Sequence, residues 1–209
     1  MNDPPSSVAT IFIVPAAAAL FVACGLIGGA AFWLDVSVIR HFIPWRAAHS
    51  ESVGALIAFT HLGGVEVLLP LTLVGIVAAG LRARRLVWPL ALTIIGGRLM
   101  VELLKVIVGR PRPGLDAHPV PVFSQSFPSA HAANSMLVML ALALWLSPPR
   151  WRLVAVTAAI ITSLAIGASR PILGVHWPSD VIGGWSFGLA WVLTFWSISQ
   201  RHGRGSTGN

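Results

Sequence analysis

Six long apolar runs alternate with short polar stretches along this chain of 209 residues. They cover roughly Ile11–Leu34, Leu62–Gly80, Leu86–Val108, Ala130–Leu146, Trp151–Ala168 and Pro178–Ser199. A helix needs about 20 predominantly apolar residues to cross the hydrocarbon core of a bilayer, and each run is near that length. The fourth and fifth are the shortest and must stand nearly upright. The pattern predicts an all-α fold, an integral membrane bundle of six transmembrane helices. Between the first two runs, Arg40–Thr60 mixes charged residues with Phe42, Trp45, Leu56 and Phe59, which predicts a short interfacial segment after the first span. Gly109–Pro128 carries five prolines and Gly114 and predicts a loop. Nothing repeats, so residues 1–209 read as a single domain with a polar tail, Gly203–Asn209.

Composition sharpens this picture. The chain is 56% hydrophobic and only 10% charged, with mean hydropathy +0.80; soluble domains are nearer a quarter charged. A net charge of +7 raises nucleic acid as a partner, but that needs a basic face on a soluble fold, and here the charges are divided among apolar runs. The expected partner is the bilayer, with no nucleic acid, and nothing in the sequence fixes an oligomeric state. Cys24 is the single cysteine, so an intrachain disulfide is impossible. The first ten residues hold Asp3 and no Lys or Arg, so the first run reads as a retained span rather than a cleaved signal. Trp33, Trp88, Trp145, Trp151 and Trp196 lie near run ends, as an aromatic belt would place them, with core packing as the plainer alternative.

With six spans, one side collects Arg82, Arg84, Arg85, Arg150, Arg152, Arg201 and Arg204. The other has Arg40, Arg46, Lys105, Arg110, Arg112 and Arg170. Three of the second set belong to a candidate site described next, leaving seven cations against three. The positive-inside rule then puts both termini in the cytoplasm. The third and fifth loops face the periplasm or cell exterior across the plasma (inner) membrane.

Those outward loops and the start of the fourth span carry three polar clusters: Lys105–Pro113, Pro128–His131 and Ser169–Asp180. Lys105, Arg112 and Arg170 form a natural cradle for a phosphoryl group, with arginine forks matching its oxygens and lysine acting as a point charge. Ser129 stands where a helix N-cap is expected. The Ala130 and His131 amides would then point out of a helix N-terminus, where an anion is favoured. His176 precedes Asp180 by four residues, and a carboxylate on one ring nitrogen leaves the other free to attack phosphorus. His131 is the candidate acid for the departing oxygen. Each cluster alone has a plainer reading: a snorkelling cation, an interfacial histidine, a serine that only caps. Their joint occurrence on one face favours catalysis.

Together these stretches resemble the three signature motifs of the type 2 phosphatidic acid phosphatases, the lipid phosphate phosphatase superfamily: Lys-x6-Arg-Pro, Pro-Ser-Gly-His and Ser-Arg-x5-His-x3-Asp. The motifs occupy residues 105–180, and the six-helix arrangement extends the likeness over nearly the whole chain. The resemblance implies that His176 becomes a phosphohistidine, that Asp180 orients it and that His131 protonates the leaving group. It implies that Lys105, Arg112, Ser129, Ala130 (through its amide) and Arg170 hold the phosphate. It also implies no metal or other cofactor, consistent with the lack of a carboxylate cluster suited to Mg²⁺. Ala130 replaces the usual glycine; with helical φ expected there, the change is nearly harmless.

The implied activity is hydrolysis of a lipid phosphate or diphosphate, with undecaprenyl pyrophosphate expected first and phosphatidylglycerol phosphate or phosphatidic acid as alternatives. A phosphotransferase using the same phosphohistidine, and a transporter or assembly partner with a vestigial anion site, stay open as other readings. Glu66, Arg98 and Glu102 lie within apolar runs, and Arg98 and Glu102, four apart, are expected to pair, either as support for Lys105 or as a structural ion pair. Arg110, Asp116 and His118 lie in the third loop, within range of a headgroup, and nothing in the sequence fixes such a contact.

Overall fold

The computed structural model describes residues 7–205, with side chains over 10–201. Within the described residues the fold is entirely helical. A backbone in hydrocarbon has no water to bond, and a helix satisfies its amides and carbonyls internally. The helices are α1 (Ser7–Ile27), α2 (Trp33–Ala48), α3 (Ser50–Thr60), α4 (Val65–Arg82), α5 (Val87–Ala91), α6 (Gly97–Val108), α7 (Ala130–Leu146), α8 (Pro149–Ile172) and α9 (Pro178–Gly205). Thr10–Ile27, Ser50–Arg82, Pro149–Ile172 and Pro178–Arg201 are long and apolar enough to cross a membrane, so the chain is an all-α integral membrane protein.

The boundaries differ from the hydropathy pattern in three places. The first run does not continue to Leu34: α1 stops at Ile27, and Gly29 takes φ +107°, open to glycine alone, to start a turn. The Asp35 carboxylate accepts the Gly29 amide at 2.6 Å and closes that turn. The Arg40–Thr60 stretch is not one interfacial segment. Its first part completes α2, and its second part is α3, which runs through the His61–Gly63 turn into α4 as one apolar helical stretch of 33 residues. Polar residues there mislead because several, Thr60 and Arg46 among them, are buried against other helices. Finally, α8 continues past Ala168 to Ile172, which puts Ser169 and Arg170 on its last turn.

The third run is continuous but changes geometry. Leu92–Gly96 is π-helical between α5 and α6, and the Trp191 indole donates to the Thr93 carbonyl at 2.9 Å within it. α7 is the hub: it packs against α4, α8 and α9, and its 17 residues span about 25 Å at 1.5 Å per residue. Its Leu137, Leu140, Ala141 and Leu144 join Leu68, Leu90 and Ile94 in the main core. Trp33, Trp88 and Trp151 are exposed, as a belt requires, but Trp145 is 5% exposed and stacks edge-on with Trp196 at 4.7 Å. Trp145 is therefore a core residue. Gly109–Pro128 contains no helix. The polar tail begins inside α9, and residues 206–209 lie outside the described residues.

Candidate active site

The loop after α6, the start of α7 and the turn from α8 into α9 meet at one end of the bundle, and Asp180 joins them. It lies in the first turn of α9, fully buried. Its Oδ2 accepts from Ser126 Oγ at 2.5 Å and the Trp177 amide at 2.9 Å, and its Oδ1 accepts from Arg110 Nη1 at 2.8 Å. Its own carbonyl accepts the Ser129 amide at 3.0 Å, tying the start of α7 to the start of α9. In the turn between α8 and α9, Gly174 at φ +74° lets the chain reverse while the Leu173 and Gly174 amides donate back to Ser169 and Pro171.

His176 sits in that turn, 1% exposed. Its Nδ1 is 3.4 Å from Asp180 Oδ2 and 3.4 Å from Ser126 Oγ, and its Nε2 is 3.0 Å from Arg112 Nη1. Arginine can only donate, so Nε2 carries the lone pair and Nδ1 carries the proton. Ser126 gives its own proton to Asp180 and so accepts at Nδ1. Burial, reinforced by the charges of Arg112, Arg170 and Lys105, holds the His176 ring well below the usual histidine range, so it is neutral. A neutral imidazole with its lone pair aimed at a guanidinium has the form of a nitrogen nucleophile.

Three cations act on this ring, and Arg112 touches it. Arg112 also donates to the Val175 carbonyl at 2.7 Å and the Ser124 carbonyl at 2.7 Å. Burial lowers its pKa from the ordinary value while Asp180 opposes that shift, and an arginine stays charged nonetheless. Lys105, on the last turn of α6 and 2% exposed, donates to the Gln125 carbonyl at 2.6 Å. Arg170 donates to Thr60 Oγ1 at 3.2 Å, and its Nε is buried without a partner. His131 is half-buried on the first turn of α7, within electrostatic reach of Arg170, His176 and His61. Several like charges held this close, with an orphaned donor among them, call for an anion.

Ser129 occupies the N-cap position of α7 but does not cap it: its hydroxyl is buried without a partner. At φ −65° and ψ 115° the backbone is in place while the oxygen is left free. Ala130 opens α7, and no residue other than glycine has positive φ within the described residues. The helical φ expected at Ala130 is what the fold requires. The first amides of α7 have no partner within the helix.

All eight sequence-derived residues thus lie in this region: Lys105, Arg112, Ser129, Ala130, His131, Arg170, His176 and Asp180. One other expectation fails. Arg98 and Glu102 do not form an ion pair within 4.0 Å; Glu102 is exposed and Arg98 half-buried, so their shared helix face does not bring the charges together. Arg110, Asp116 and His118 do not simply point outward. Arg110 is 7% exposed in the Asp180 ion pair. Asp116 takes a hydrogen bond from Arg46 at 3.0 Å, and His118 Nε2 lies 2.6 Å from the Pro113 carbonyl. The Arg46 guanidinium holds the Asp116 carboxyl below the usual carboxylate range.

Sequence reasoning missed Ser126, Thr60, Asp35 and Ser179. Only Asp35 left a signal, as an acid beside an apolar run.

Comparison with known proteins fits this geometry. The PAP2 superfamily pattern matches residues 86–204. The chain is 38% identical over 139 residues to phosphatidylglycerophosphatase B of Bacillus subtilis, covering 62% of this chain and 66% of that protein. It is 36% identical over 116 residues to lipid A 1-phosphatase of Rhizobium johnstonii, covering 51% and 44%. It is 27% identical over 144 residues to undecaprenyl-diphosphatase of Sulfolobus acidocaldarius, covering 66% and 66%. The matched stretch is less than two thirds of the length of each of these relatives. The crystal structure of a transmembrane PAP2 type phosphatidylglycerolphosphate phosphatase from Bacillus subtilis superposes with TM-score 0.75 at 25% identity, over 92% of this chain and 96% of that one. A pattern covering more than half of the sequence, all three polar clusters included, places this chain in the PAP2 superfamily.

Proposed function

We propose that this protein is a lipid phosphate phosphatase working through a phosphohistidine on His176. The observation that carries the reading is the His176 ring itself, with Nδ1 at 3.4 Å from both Asp180 Oδ2 and Ser126 Oγ, Nε2 at 3.0 Å from Arg112 Nη1, and the charges of Arg170 and Lys105 acting on the ring. A phosphoryl group entering this cluster replaces Arg112 at Nε2 and takes its charge compensation from the cations, Ser129 Oγ and the Ala130 amide. Nε2 forms a bond to phosphorus as the bond from phosphorus to the lipid oxygen breaks, and His131, protonated beside the bound anion, gives that oxygen its proton. Water then attacks the phosphohistidine, its proton passing to His131, and releases inorganic phosphate and neutral His176. Phosphoryl transfer depends mostly on positioning and charge stabilisation, and this cluster supplies both.

The substrate is a phosphate or diphosphate ester at the head of a membrane lipid. Similarity to phosphatidylglycerophosphatase B supports phosphatidylglycerophosphate as the first candidate, with the undecaprenyl diphosphate expected from sequence and lipid A 1-phosphate as the alternatives. The reading takes six spans, with 50–82 and 84–108 as the second and third and α1, α7, α8 and α9 as the others, and takes its sidedness from the excess of arginines on the loops beside the termini. Both termini are then cytoplasmic, and the site opens on the outer face of the plasma membrane. The test is purified protein in detergent with a panel of lipid mono- and diphosphates, measuring phosphate release beside His176→Ala and trapping labelled phosphohistidine. Release without any histidine-linked label would refute the mechanism, and an inert panel would refute the activity.

A further inference from the structure

Arg110 lies between the two motif cations Lys105 and Arg112 in sequence yet takes no part in the phosphate cradle. It is 7% exposed, and its guanidinium has four partners. Nη1 donates to Asp180 Oδ1 at 2.8 Å and Ser179 Oγ at 3.1 Å; Nη2 donates to the carbonyls of Cys24 at 2.7 Å and Gly25 at 2.8 Å. Its Cζ also lies 4.5 Å from the centre of the Phe127 ring. Those carbonyls belong to the last turn of α1, at the negative end of the helix, and the Cys24 carbonyl also accepts the Gly28 amide at 3.2 Å. Arg110 therefore bridges a helix C-terminus and the carboxylate beside His176.

Asp35 completes the frame from the other side. It is 1% exposed, accepts the Ser179 amide at 2.9 Å on Oδ1 and takes Ser179 Oγ at 2.5 Å and the Gly29 amide on Oδ2. A carboxylate from α2 thus caps the N-terminus of α9, one residue from Asp180. At Gly28 there is no room for a side chain: a Cβ would overlap the Ser179 hydroxyl and come within 2.8 Å of Arg110 Nη1. Two buried acids, Asp35 and Asp180, and one buried cation, Arg110, lock α1, α2 and α9 together behind the reactive histidine.

We propose that Arg110 is a positioning residue for the reaction: it aims Asp180 at His176 Nδ1, and Asp35 fixes the helix start that carries Asp180. Arg110 occupies Oδ1, so Oδ2 is left to face His176, Ser126 and the Trp177 amide. Without the guanidinium Oδ1 loses its ion pair, the carboxylate is held through Oδ2 alone by Ser126 and the Trp177 amide, and its alignment with the ring Nδ1 loosens. A lysine keeps the charge but spans only part of the four-way contact. This inference rests on the phosphohistidine reading above.

The test uses the full chain in detergent, with Arg110→Met, Arg110→Lys and Asp35→Asn. Arg110→Met should lower kcat about 100-fold with KM for phosphatidylglycerophosphate within about threefold, Arg110→Lys should recover part of that loss, and Asp35→Asn should fall between. Inorganic phosphate should still raise the melting temperature of Arg110→Met, since Lys105, Arg112 and Arg170 remain. Proton NMR should show the Nδ1 proton of His176 at low field in the parent and lose it in Arg110→Met. A kcat within threefold of the parent, an unchanged Nδ1 resonance, or loss of the phosphate-induced stabilisation together with activity would overturn the proposal, the last by making the role purely structural. If Arg110→Met does not fold, Arg110→Lys is held to the same comparisons, with a partial fall in kcat expected. Should the parent hydrolyse no lipid phosphate, the phosphatase reading fails, and the aiming of Asp180 is decided by the resonance alone.

Discussion

Arg112 Nη1 lies 3.0 Å from His176 Nε2, a donor set against the one ring nitrogen that has a lone pair. The contact assigns the tautomer and sets that nitrogen directly beside a guanidinium. Arg112→Lys keeps the charge and loses the fork that spans Val175, Ser124 and His176. We expect kcat/KM for lipid phosphate to drop about 100-fold, in line with two lost charge-assisted hydrogen bonds; a drop under threefold would remove Arg112 from the cradle.

His176→Ala should abolish turnover, by about 1,000-fold or more, while the protein still folds. Treatment with EDTA should change nothing, because the charges that would neutralise a phosphoryl group are Lys105, Arg112 and Arg170. Phosphate release measured with and without the chelator decides this, and complete loss on chelation would count against the mechanism.

The pH behaviour follows from the depressed His176 pKa. In the unfolded chain a histidine gains its proton near its ordinary value, about 6.5; in the folded protein His176 gains it only at much lower pH. Between those two values the unfolded state binds more protons, so stability falls as pH falls, by up to about 1.4 kcal/mol per pH unit for this one group. The melting temperature should decline from about pH 7 to about pH 5, and the decline should be shallower in His176→Gln. Equal slopes in the two proteins would contradict a buried neutral ring.

Ala130 offers a test of the backbone amide. The helical φ at the start of α7 means that Ala130→Gly should leave kcat/KM within about twofold and lower stability by under 1 kcal/mol. Ala130→Pro is more informative. Proline fits the first position of a helix, and Ser129 at ψ 115° already has the extended backbone a following proline demands. The substitution removes only an N–H. If that amide binds phosphate, KM should rise at least about 10-fold, as loss of a hydrogen bond to a charged group predicts, while α7 stays intact by circular dichroism.

The Arg46–Asp116 pair fastens the long loop: Arg46 also donates to the Ile172 carbonyl at 3.0 Å. Asp116 has a lowered pKa, so its contribution is present above the ordinary carboxylate value and is lost only as pH falls through the lower, folded one. Protection of residues 114–125 against limited proteolysis should be flat between about pH 5 and 8, and Asp116→Asn should reduce it. Equal cleavage rates in parent and variant would show that the pair does not restrain the loop.

Much of this protein was legible in the chain because two signals in it are local. Hydrophobic runs near bilayer length report helices wherever the backbone must satisfy itself, so α4, α7, α8 and α9 lie close to where the pattern put them. The motif residues report chemistry because arginine forks, imidazoles and a helix start have fixed capabilities whatever surrounds them. Turns inside apolar runs leave no such mark. The break at Gly28–Gly29 and the fusion of α3 with α4 depend on contacts with Asp35 and on what buries Thr60, and hydropathy treats both as noise.

By itself, then, the sequence determined that the chain is helical, membrane-embedded and equipped with three cations, two histidines and an aspartate at matched spacings. Only the tertiary structure decided which charges face the anion and which face each other. Arg110 and Arg112 are two residues apart, with the same side chain and the same apparent prospects. One is drawn into a buried pair with Asp180 and the end of α1, and the other is left beside the His176 lone pair. The reason is geometric: a buried charge needs a partner within a few ångströms, and here the partners come from segments more than sixty residues away along the chain.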